Sequence, residues 1–398
     1  MPRLHLVSAE EGHRVTTLEL FFDLVFVYAI TQTTQLMSNH PTLLGLGQGV
    51  ALLAVLWWCW CCYTWLGNTL HVDEGPARFA MLGAMAAMFL ISLTIPEAFS
   101  DFPGGLYAPL VFVCCYLVVR ILHLAAYFQA ARDDAGLRHV LFRVAPPMLS
   151  GAGVLFAAAF TSGLPQLGLW VLGLAVDYTG VYLAGNKGWQ VNAPEHFAER
   201  FGLIVIIALG ESIVAIGIGI GQFPISWLVI ATAISGFVIA AALWWMYFDV
   251  LARVSARKLE SATGLARVKL ATDTYTYLHL PLIAGIVLVA LGMKKALTYV
   301  ADTEHYTAAD PLYGLPLWAL TGGAALYLTG LSSLRKRNLG SWNVQRLVAA
   351  AVLLALTPLL AHVPAAVMVA VVAVLVVVVI GYEYVRFSSW RQEALRAH

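Results

Sequence analysis

Long apolar stretches, separated by short polar connections, run along almost the whole chain. Windows of about 18–25 apolar residues are long enough for a helix to cross the hydrocarbon core of a bilayer. Such windows lie at about 19–38, 43–66, 77–99, 107–130, 138–161, 164–185, 195–220, 224–249, 272–297, 312–333, 342–362 and 364–386. The pattern predicts an all-α polytopic membrane protein with about twelve transmembrane helices.

Composition supports this prediction. Of the 398 residues, 60% are hydrophobic and 11% are charged, whereas soluble domains average about 25% charged residues. The sequence has no basic patch interleaved with aromatic residues, so we expect no nucleic-acid partner. The expected partners are the lipid bilayer and a small ion or apolar small molecule, and assembly into a homo-oligomer stays open. Residues 1–17 are polar and do not predict a removable signal peptide.

The distribution of lysine and arginine predicts the orientation. These residues concentrate at the amino terminus, in the even-numbered connections and in the carboxyl tail, whereas the odd-numbered connections hold only Lys294 and Lys295. Cytoplasmic connections carry the excess of positive charge in membrane proteins. Both termini are therefore expected to face the cytoplasm.

The two halves of the chain resemble each other weakly. LELFFDLVFVYAITQ at 18–32 and AERFGLIVIIALGES at 198–212 both carry a glutamate at a helix start, and LWW occurs at 56–58 and again at 243–245. Six helices are an even number, so two such halves would have the same orientation in the membrane. The predicted organisation is a cytoplasmic segment (1–18), a first six-helix repeat (19–186), a second six-helix repeat (187–386) and a cytoplasmic tail (387–398).

Carboxylates at membrane depth are the first candidates for function, because ionisable groups are costly in lipid. Glu211 lies deep inside the apolar stretch 195–221, and Glu199 lies near the start of that stretch. Glu19 and Asp23 are one turn apart on one face of the first helix. Glu19 has a second interpretation as a helix-start carboxylate that the helix dipole favours.

The fourth window contains a cation at membrane depth. Arg120 and His123 are three positions apart and share a helix face. Arg120 needs a carboxylate or a set of carbonyl groups, and its candidate partners are Asp177, Asp249 and Glu211. An ion pair that only holds helices together is the structural alternative to a role in transport or catalysis.

A histidine and an aromatic group complete the candidates. His279 lies two residues before Pro281, which can kink the helix; it either titrates near neutral pH or bonds a neighbouring carbonyl. Trp57 and Trp58 belong to an aromatic group that either forms an interfacial belt or lines a pocket for a cation or an apolar substrate.

Metal and cofactor motifs are missing from the sequence. The five cysteines lie within apolar stretches. Cys59 and Cys62 are three positions apart and share a helix face, but this pair is better explained as buried small side chains than as a soft metal site. The eleven histidines form no HxxxH or HExxH pair. Phosphate-binding and dinucleotide-binding loops are also missing. We therefore expect no metal and no cofactor.

Several segments together resemble one known family. ELFFDLVFV at 19–27, WWCWCCYTWLGN at 57–68, RILHLAAYF at 120–128, ERFGLIVIIALGES at 199–212 and TYLHLPLIAGI at 276–286 resemble, in this order, the bacterial low-temperature-requirement A family. The resemblance covers nearly the whole chain and implies a multi-pass protein of the bacterial inner (plasma) membrane. The family's name comes from a cold-growth phenotype, so the resemblance implies little about activity.

A weaker similarity exists to the two-repeat lysosomal potassium channels. The first helix of each repeat in those channels carries a phenylalanine-serine-aspartate motif. Here Phe22-Asp23 matches it without the serine, and the second half has Gly202-Leu203. This departure argues against a symmetric pore of that type.

Three functional hypotheses follow from the sequence. The leading one is a transporter or channel-like protein for a small cation or a proton-coupled solute, with Glu211, Asp23 and Asp177 as the binding carboxylates and Arg120 and His123 as their charge partners. The alternative is an intramembrane enzyme in which Asp23 or Glu211 protonates an apolar or lipid (isoprenoid-like) substrate. The third is a non-catalytic scaffold.

Overall fold

The computed structural model describes residues 14–388, and within this range the chain forms α-helices and no β-strand. Eleven segments of this part of the chain are long and apolar enough to cross a membrane, and a further apolar helix, Val344–Leu360, is shorter. The prediction of an all-α polytopic membrane protein is confirmed. The ends of the two predicted cytoplasmic segments, residues 1–13 and 389–398, lie outside the described residues.

The described residues divide into two units by their contacts. The first unit runs from residue 14 to Arg200 and again over Leu259–Thr272, and the second comprises Phe201–Lys258 and the residues from Asp273 onward. The predicted repeats, 19–186 and 187–386, stay a prediction.

Six long helices form most of the first unit: α1 Thr17–Asn39, α2 Leu43–Thr69, α3 Gly75–Thr94, α4 Ala108–Ala130, α5 Ala135–Ala158 and α6 Gly163–Ala184. Their bounds lie within a few residues of the predicted windows. Helix α1 packs on α2 and α3, α3 packs on α4, and α6 packs on α5 and α2. Helix α1 begins with a capping box, in which the Thr16 hydroxyl accepts from the Glu19 N–H and the Glu19 carboxylate accepts from the Thr16 N–H.

The rest of the described chain forms eight helices: α7 Pro194–Ile220, α8 Trp227–Phe248, α9 Leu251–Ser261, α10 Gly264–Leu270, α11 His279–Ala301, α12 Leu315–Leu339, α13 Val344–Leu360 and α14 Ala365–Arg386. Residues 194–200 of α7, the end of α9 and all of α10 belong to the first unit. In the second unit α11 packs on α12, α12 on α13, and α14 on α8.

A π-helical turn, Ala271–Tyr277, precedes α11. Pro281, the third residue of α11, has no N–H, and its ring would clash with the carbonyl of residue 277 in a regular helix. The wider turn relieves this clash. The interruption lies next to His279, where the sequence predicts a kink.

Polar contacts also order the connection after α11. The Asp302 carboxylate lies 2.8 Å from Nδ1 of His305. The hydrogen bond to Asp302 and the charge of this carboxylate raise the pKa of His305.

Helices α11 and α12 approach each other closely through glycines. A Cβ added to Gly323 would lie 2.8 Å from the carbonyl oxygen of Gly285, from Cβ of Leu288 and from the backbone nitrogen of Val289. The same addition at Gly322, one position earlier, meets no atom within 4 Å. Small residues let membrane helices approach in this way, so Gly323 is a packing residue and Gly322 is not.

Gly323→Ala should therefore destabilise the protein, because the new methyl group meets backbone atoms that cannot move aside. We expect a loss of about 1–3 kcal/mol in the free energy of unfolding, measured by denaturation in detergent. Gly322→Ala is the matched control and should be neutral or slightly stabilising. Equal effects of the two substitutions would contradict the packing assignment.

Candidate functional site

Four ionisable side chains meet between α1 and α7 in the first unit. Glu19 and Asp23 lie one turn apart on α1, and His196 and Arg200 lie one turn apart on α7. All four side chains are buried, with at most 2% of the surface of each residue exposed. We call these four residues the α1–α7 cluster.

Glu19 joins two α7 residues. Nε2 of His196 lies 3.1 Å from Oε1 and 3.0 Å from Oε2 of Glu19, and Nη1 of Arg200 lies 3.2 Å from Oε1. A carboxylate only accepts hydrogen bonds, so Nε2 of His196 carries a hydrogen and donates it. Glu19 is thus both the helix cap that its position predicts and a buried ion-pair partner.

Asp23 binds the other terminal nitrogen of the Arg200 guanidinium. Nη2 of Arg200 donates to Oδ1 of Asp23 at 2.8 Å, and the indole N–H of Trp60 donates to the same oxygen at 2.8 Å. The guanidinium carbon of Arg200 lies 5.7 Å from the centre of the Trp60 ring, within cation–π distance. Oδ2 of Asp23 has no hydrogen-bond partner among the described residues.

A glycine of α2 leaves room for the cluster. A Cβ added to Gly67 would lie 2.6 Å from Oε1 of Glu19. Trp60 and Gly67 lie seven positions apart, on the same face of α2. Helix α2 therefore supplies both a hydrogen-bond donor and the space that the carboxylates occupy.

A second buried pair joins α4 to α6. Nη2 of Arg120 donates to Oδ2 of Asp177 at 2.6 Å, and both side chains are at most 3% exposed. Nη1 of Arg120 also contacts Sγ of Cys62 at 2.9 Å. Of the three candidate partners of Arg120, Asp177 is the one that it binds.

His123 lies beside this pair without joining it. Its Nε2 is 3.2 Å from the carbonyl oxygen of Cys62, so Nε2–H donates to that oxygen. The hydroxyl of Tyr63 donates to the carbonyl of Val119 at 2.9 Å. These bonds fasten α2 to α4.

The second unit also contains buried ionisable groups on neighbouring helices, Glu211 and a lysine. Glu211 on α7 is 2% exposed, Lys294 on α11 is 7% exposed, and the charge of Glu211 acts on Lys294. The two helices touch where the Thr298 hydroxyl donates to the carbonyl of Gly219 at 3.1 Å. The expectation that Lys294 and Lys295 lie in a connection is wrong, because both belong to α11.

His279 is buried and bonded on both ring nitrogens. Its Nδ1 lies 2.8 Å from the carbonyl oxygen of Thr274, and its Nε2 lies 2.8 Å from the Tyr247 hydroxyl. His279 therefore bonds a neighbouring carbonyl, one of its two predicted roles. Asp249 lies elsewhere in the second unit, half-buried at the end of α8.

Trp57 and Trp58 do not form an interfacial belt. Each is 3% exposed; Trp57 stacks on Trp60 at 5.4 Å and Trp58 on Tyr178 at 3.9 Å between ring centres. The belt interpretation is wrong because ring stacking and a hydrogen bond to Asp23 hold this segment inside the first unit. Arg200 lies 5.7 Å from the centre of the Trp60 ring, on which Trp57 stacks.

Glu199 does not join the α1–α7 cluster. It is exposed, because adjacent helical positions point about 100° apart and Arg200 is the residue that faces α1. His196 and Trp60 also belong to the site, and the sequence did not predict either of them as a site residue. The spacing of His196 and Arg200, which matches that of Glu19 and Asp23, was the available signal.

Among residues 14–388, no group of three or more histidine, cysteine, aspartate and glutamate side chains could hold a metal ion. Buried carboxylates and imidazoles are side-chain types that can take up a proton, and carboxylates can bind a small cation.

A family model described as bacterial low temperature requirement A protein matches residues 14–381. An uncharacterized protein of Rhizobium meliloti (strain 1021) is 27% identical over 390 residues, which cover 94% of this chain and 90% of that protein. No solved structure matches the chain.

The Arg120–Asp177 pair should be essential for stability. Asp177→Asn or Arg120→Gln alone leaves an uncompensated buried charge, and we expect each to lower the free energy of unfolding by about 3–5 kcal/mol. The apolar double substitution Arg120→Met with Asp177→Leu should recover most of this loss, as denaturation in detergent would show.

The control for this prediction is Arg337→Gln. It breaks the Arg337–Asp273 pair, whose side chains are 32% and 25% exposed, and it should cost about 0–1 kcal/mol. An Asp177→Asn loss no larger than that of the control would show that the α4–α6 pair does not hold the helices together.

Proposed function

The chain belongs to the bacterial low temperature requirement A family of membrane proteins, and we propose that it is a transporter or channel-like protein for a small cation or a proton-coupled solute. Its location is then the bacterial inner membrane, with both termini in the cytoplasm. The α1–α7 cluster is the proposed site where the proton or cation binds.

The charge balance of the cluster carries the proposal. Two carboxylates, Glu19 and Asp23, share one guanidinium, that of Arg200. With neutral His196 the four residues sum to one negative charge in a buried place, which is costly. One proton or one monovalent cation removes that charge, so the cluster has two charge states that differ by a single ion.

The geometry offers two places for the proton. His196 is bonded directly to Glu19 at 3.0 Å, and an imidazole can take up a proton on its second ring nitrogen. Oδ2 of Asp23 is an acceptor without a partner in the described part of the chain. A proton taken up on either residue makes the cluster neutral.

The α4–α6 pair has no such excess. Arg120 and Asp177 balance one to one at 2.6 Å, so the pair needs no further ion. Its contacts favour a structural role. Glu211, whose charge acts on buried Lys294, remains the candidate ion-binding carboxylate of the second unit.

Burial favours transport over acid catalysis on a lipid. Only 2% of Asp23 is exposed, and Arg200 and Trp60 cover one of its oxygens. A proton or a small cation needs far less room beside such a group than an isoprenoid-like substrate does.

The first test is proton and cation flux in liposomes that contain purified protein. Asp23→Asn and Glu19→Gln remove the excess negative charge, and we expect each to lower flux at least about tenfold, the equivalent of 1.4 kcal/mol. Glu199→Gln is the matched control, because this exposed carboxylate lies next to Arg200, and its flux should equal that of the wild type.

Two outcomes would contradict the proposal. Folded Asp23→Asn protein with unchanged flux would remove the cluster from the pathway. Folded wild-type protein without flux under proton, sodium or potassium gradients would exclude transport of these ions and favour the intramembrane enzyme, for which the co-purifying lipids would then be identified.

His196 offers a second test of the proposed site. His196→Gln keeps an N–H donor for Glu19, but an amide side chain cannot take up a proton as an imidazole can. If the proton binds at His196, we expect this variant to lower proton flux at least about tenfold, measured in the same liposomes.

The control for this variant is His305→Gln. The His305 side chain is 72% exposed and lies outside the membrane-spanning helices, so its loss should leave proton flux unchanged. Folded His196→Gln protein with the flux of the wild type would assign the proton to another group.

A further inference from the structure

One arginine of a membrane-spanning helix in the first unit has no carboxylate partner in the described part of the chain. Arg143 is the ninth residue of α5, so its Cα lies about 12 Å along the helix from Ala135, within the length that a spanning helix places in hydrocarbon. Arg120 and Arg200 each bind a carboxylate. Nη2 of Arg143 instead donates to a backbone carbonyl, that of Lys187, at 2.7 Å. Its positive charge is therefore not balanced by the described residues that it contacts.

The side chain of Arg143 extends toward the end of the unit where α5 begins and α6 ends. Side chains of a helix tilt toward its amino terminus, and Lys187 lies in the connection just after α6, which ends at Ala184. This connection packs on the start of α5, since a Cβ added to Gly188 would lie 2.5 Å from Cγ2 of Val140. The guanidinium therefore lies near the depth of lipid headgroups, while the stem of the side chain lies along the helix.

Cations outnumber carboxylates where these two segments meet. Residues 131–143 and 185–188 together contain four arginine and lysine residues and two aspartates. One of the aspartates, Asp134, caps the amino terminus of α5 by accepting from the Leu137 N–H at 3.0 Å. The excess positive charge at this end of the unit attracts anions.

The groups beside Arg143 suit the phosphate and the acyl chains of a lipid. A guanidinium has five N–H donors, and the described residues give that of Arg143 one acceptor, the Lys187 carbonyl. The side chains of Lys187 and His139 are exposed, and His139 lies one turn from Arg143 on the same face of α5. Phe142, the residue before Arg143, is 64% exposed and adds an apolar surface next to the cations.

We propose that Arg143 binds the phosphate of an anionic phospholipid, with the Lys187 side chain as a second cation and Phe142 against an acyl chain. A guanidinium presents paired N–H donors that match the oxygens of a phosphate. Basic sites between membrane helices bind anionic headgroups, and the ends of α5 and α6 lie at the depth of these headgroups. The lipid phosphate then gives Arg143 the negative partner that Asp177 gives Arg120.

The test measures lipid binding to the purified, delipidated full chain by native mass spectrometry, with phosphatidylglycerol and phosphatidylethanolamine as probes. Wild-type protein should bind phosphatidylglycerol more tightly, because this headgroup has no ammonium group that offsets the phosphate. Arg143→Gln keeps a donor for the Lys187 carbonyl and should weaken phosphatidylglycerol binding about tenfold, the effect of losing one charge-assisted contact. Arg143→Lys keeps the charge and should retain part of the binding.

A second variant leaves the contact between Arg143 and the α6 connection intact. Lys187→Gln keeps the backbone carbonyl that Arg143 binds, and it should weaken phosphatidylglycerol binding about fivefold by removing one cation. Arg78→Gln is the matched control, because Arg78 is an exposed arginine in the first turn of α3, another spanning helix of the same unit. Its lipid binding should equal that of the wild type.

Three results would overturn the assignment. Equal losses of binding in the Arg143→Gln and Arg78→Gln variants would replace the site by a diffuse attraction between basic residues and anionic lipid. Wild-type protein that binds phosphatidylethanolamine as tightly as phosphatidylglycerol would exclude selection of an anionic headgroup. Competition by free glycerol phosphate as strong as that by the intact lipid would show a soluble anion in place of a bilayer lipid.

Discussion

The free-energy cost of a charge away from water determines where the ionisable side chains of this chain lie. Insertion scales place that cost at about 2.5–3.5 kcal/mol for a charge at the centre of a membrane helix. Arg200 meets this constraint by binding two carboxylates of α1, Arg120 by binding Asp177, and Arg346 by binding Glu383. Lipid tails are as apolar as leucine, so apolar faces alone select neighbouring helices poorly. The buried ion pairs therefore determine which helices pack together: α1 with α7, α4 with α6, and α13 with α14.

Most of the fold could be predicted because its signals are local. The length of an apolar window and the residues at its ends are properties of the adjacent sequence, and most observed helices agree with the windows within a few residues, whereas α12 ends six residues beyond its window. The helix break beside Pro281 follows from a missing N–H. The connection at 251–270 was harder to predict, since its basic residues predict an orientation but not the short helices α9 and α10. Their formation depends on contacts that no short window contains.

The site could be predicted only in part, because partner choice is not local. The spacing of Glu19 and Asp23 shows that they share a helix face, and Arg120 at membrane depth shows that a carboxylate must lie nearby. Which carboxylate it binds depends on the packing of α4 against α6. The weak repeat aligned Glu19 with Glu199 and drew attention to the wrong side of α7, about 100° from Arg200. The count of connection charges places Lys294 in a connection, whereas the effect of the Glu211 charge on Lys294 depends on the packing of α7 against α11.

The balance of charges distinguishes a structural ion pair, which only holds two helices together, from an ion-binding site. A structural pair is most stable when its charges cancel and no further ion can bind, as with Arg120 and Asp177. An ion carrier needs a site whose charge changes when the ion binds. The α1–α7 cluster has an excess of carboxylates, since two of them share one guanidinium and His196 is bonded to one of the two. An excess charge of this kind weakens a purely structural site, because buried negative charge lowers stability without adding a contact. This excess, at the contact of four buried side chains between α1 and α7, is the reason why we propose that the cluster binds an ion.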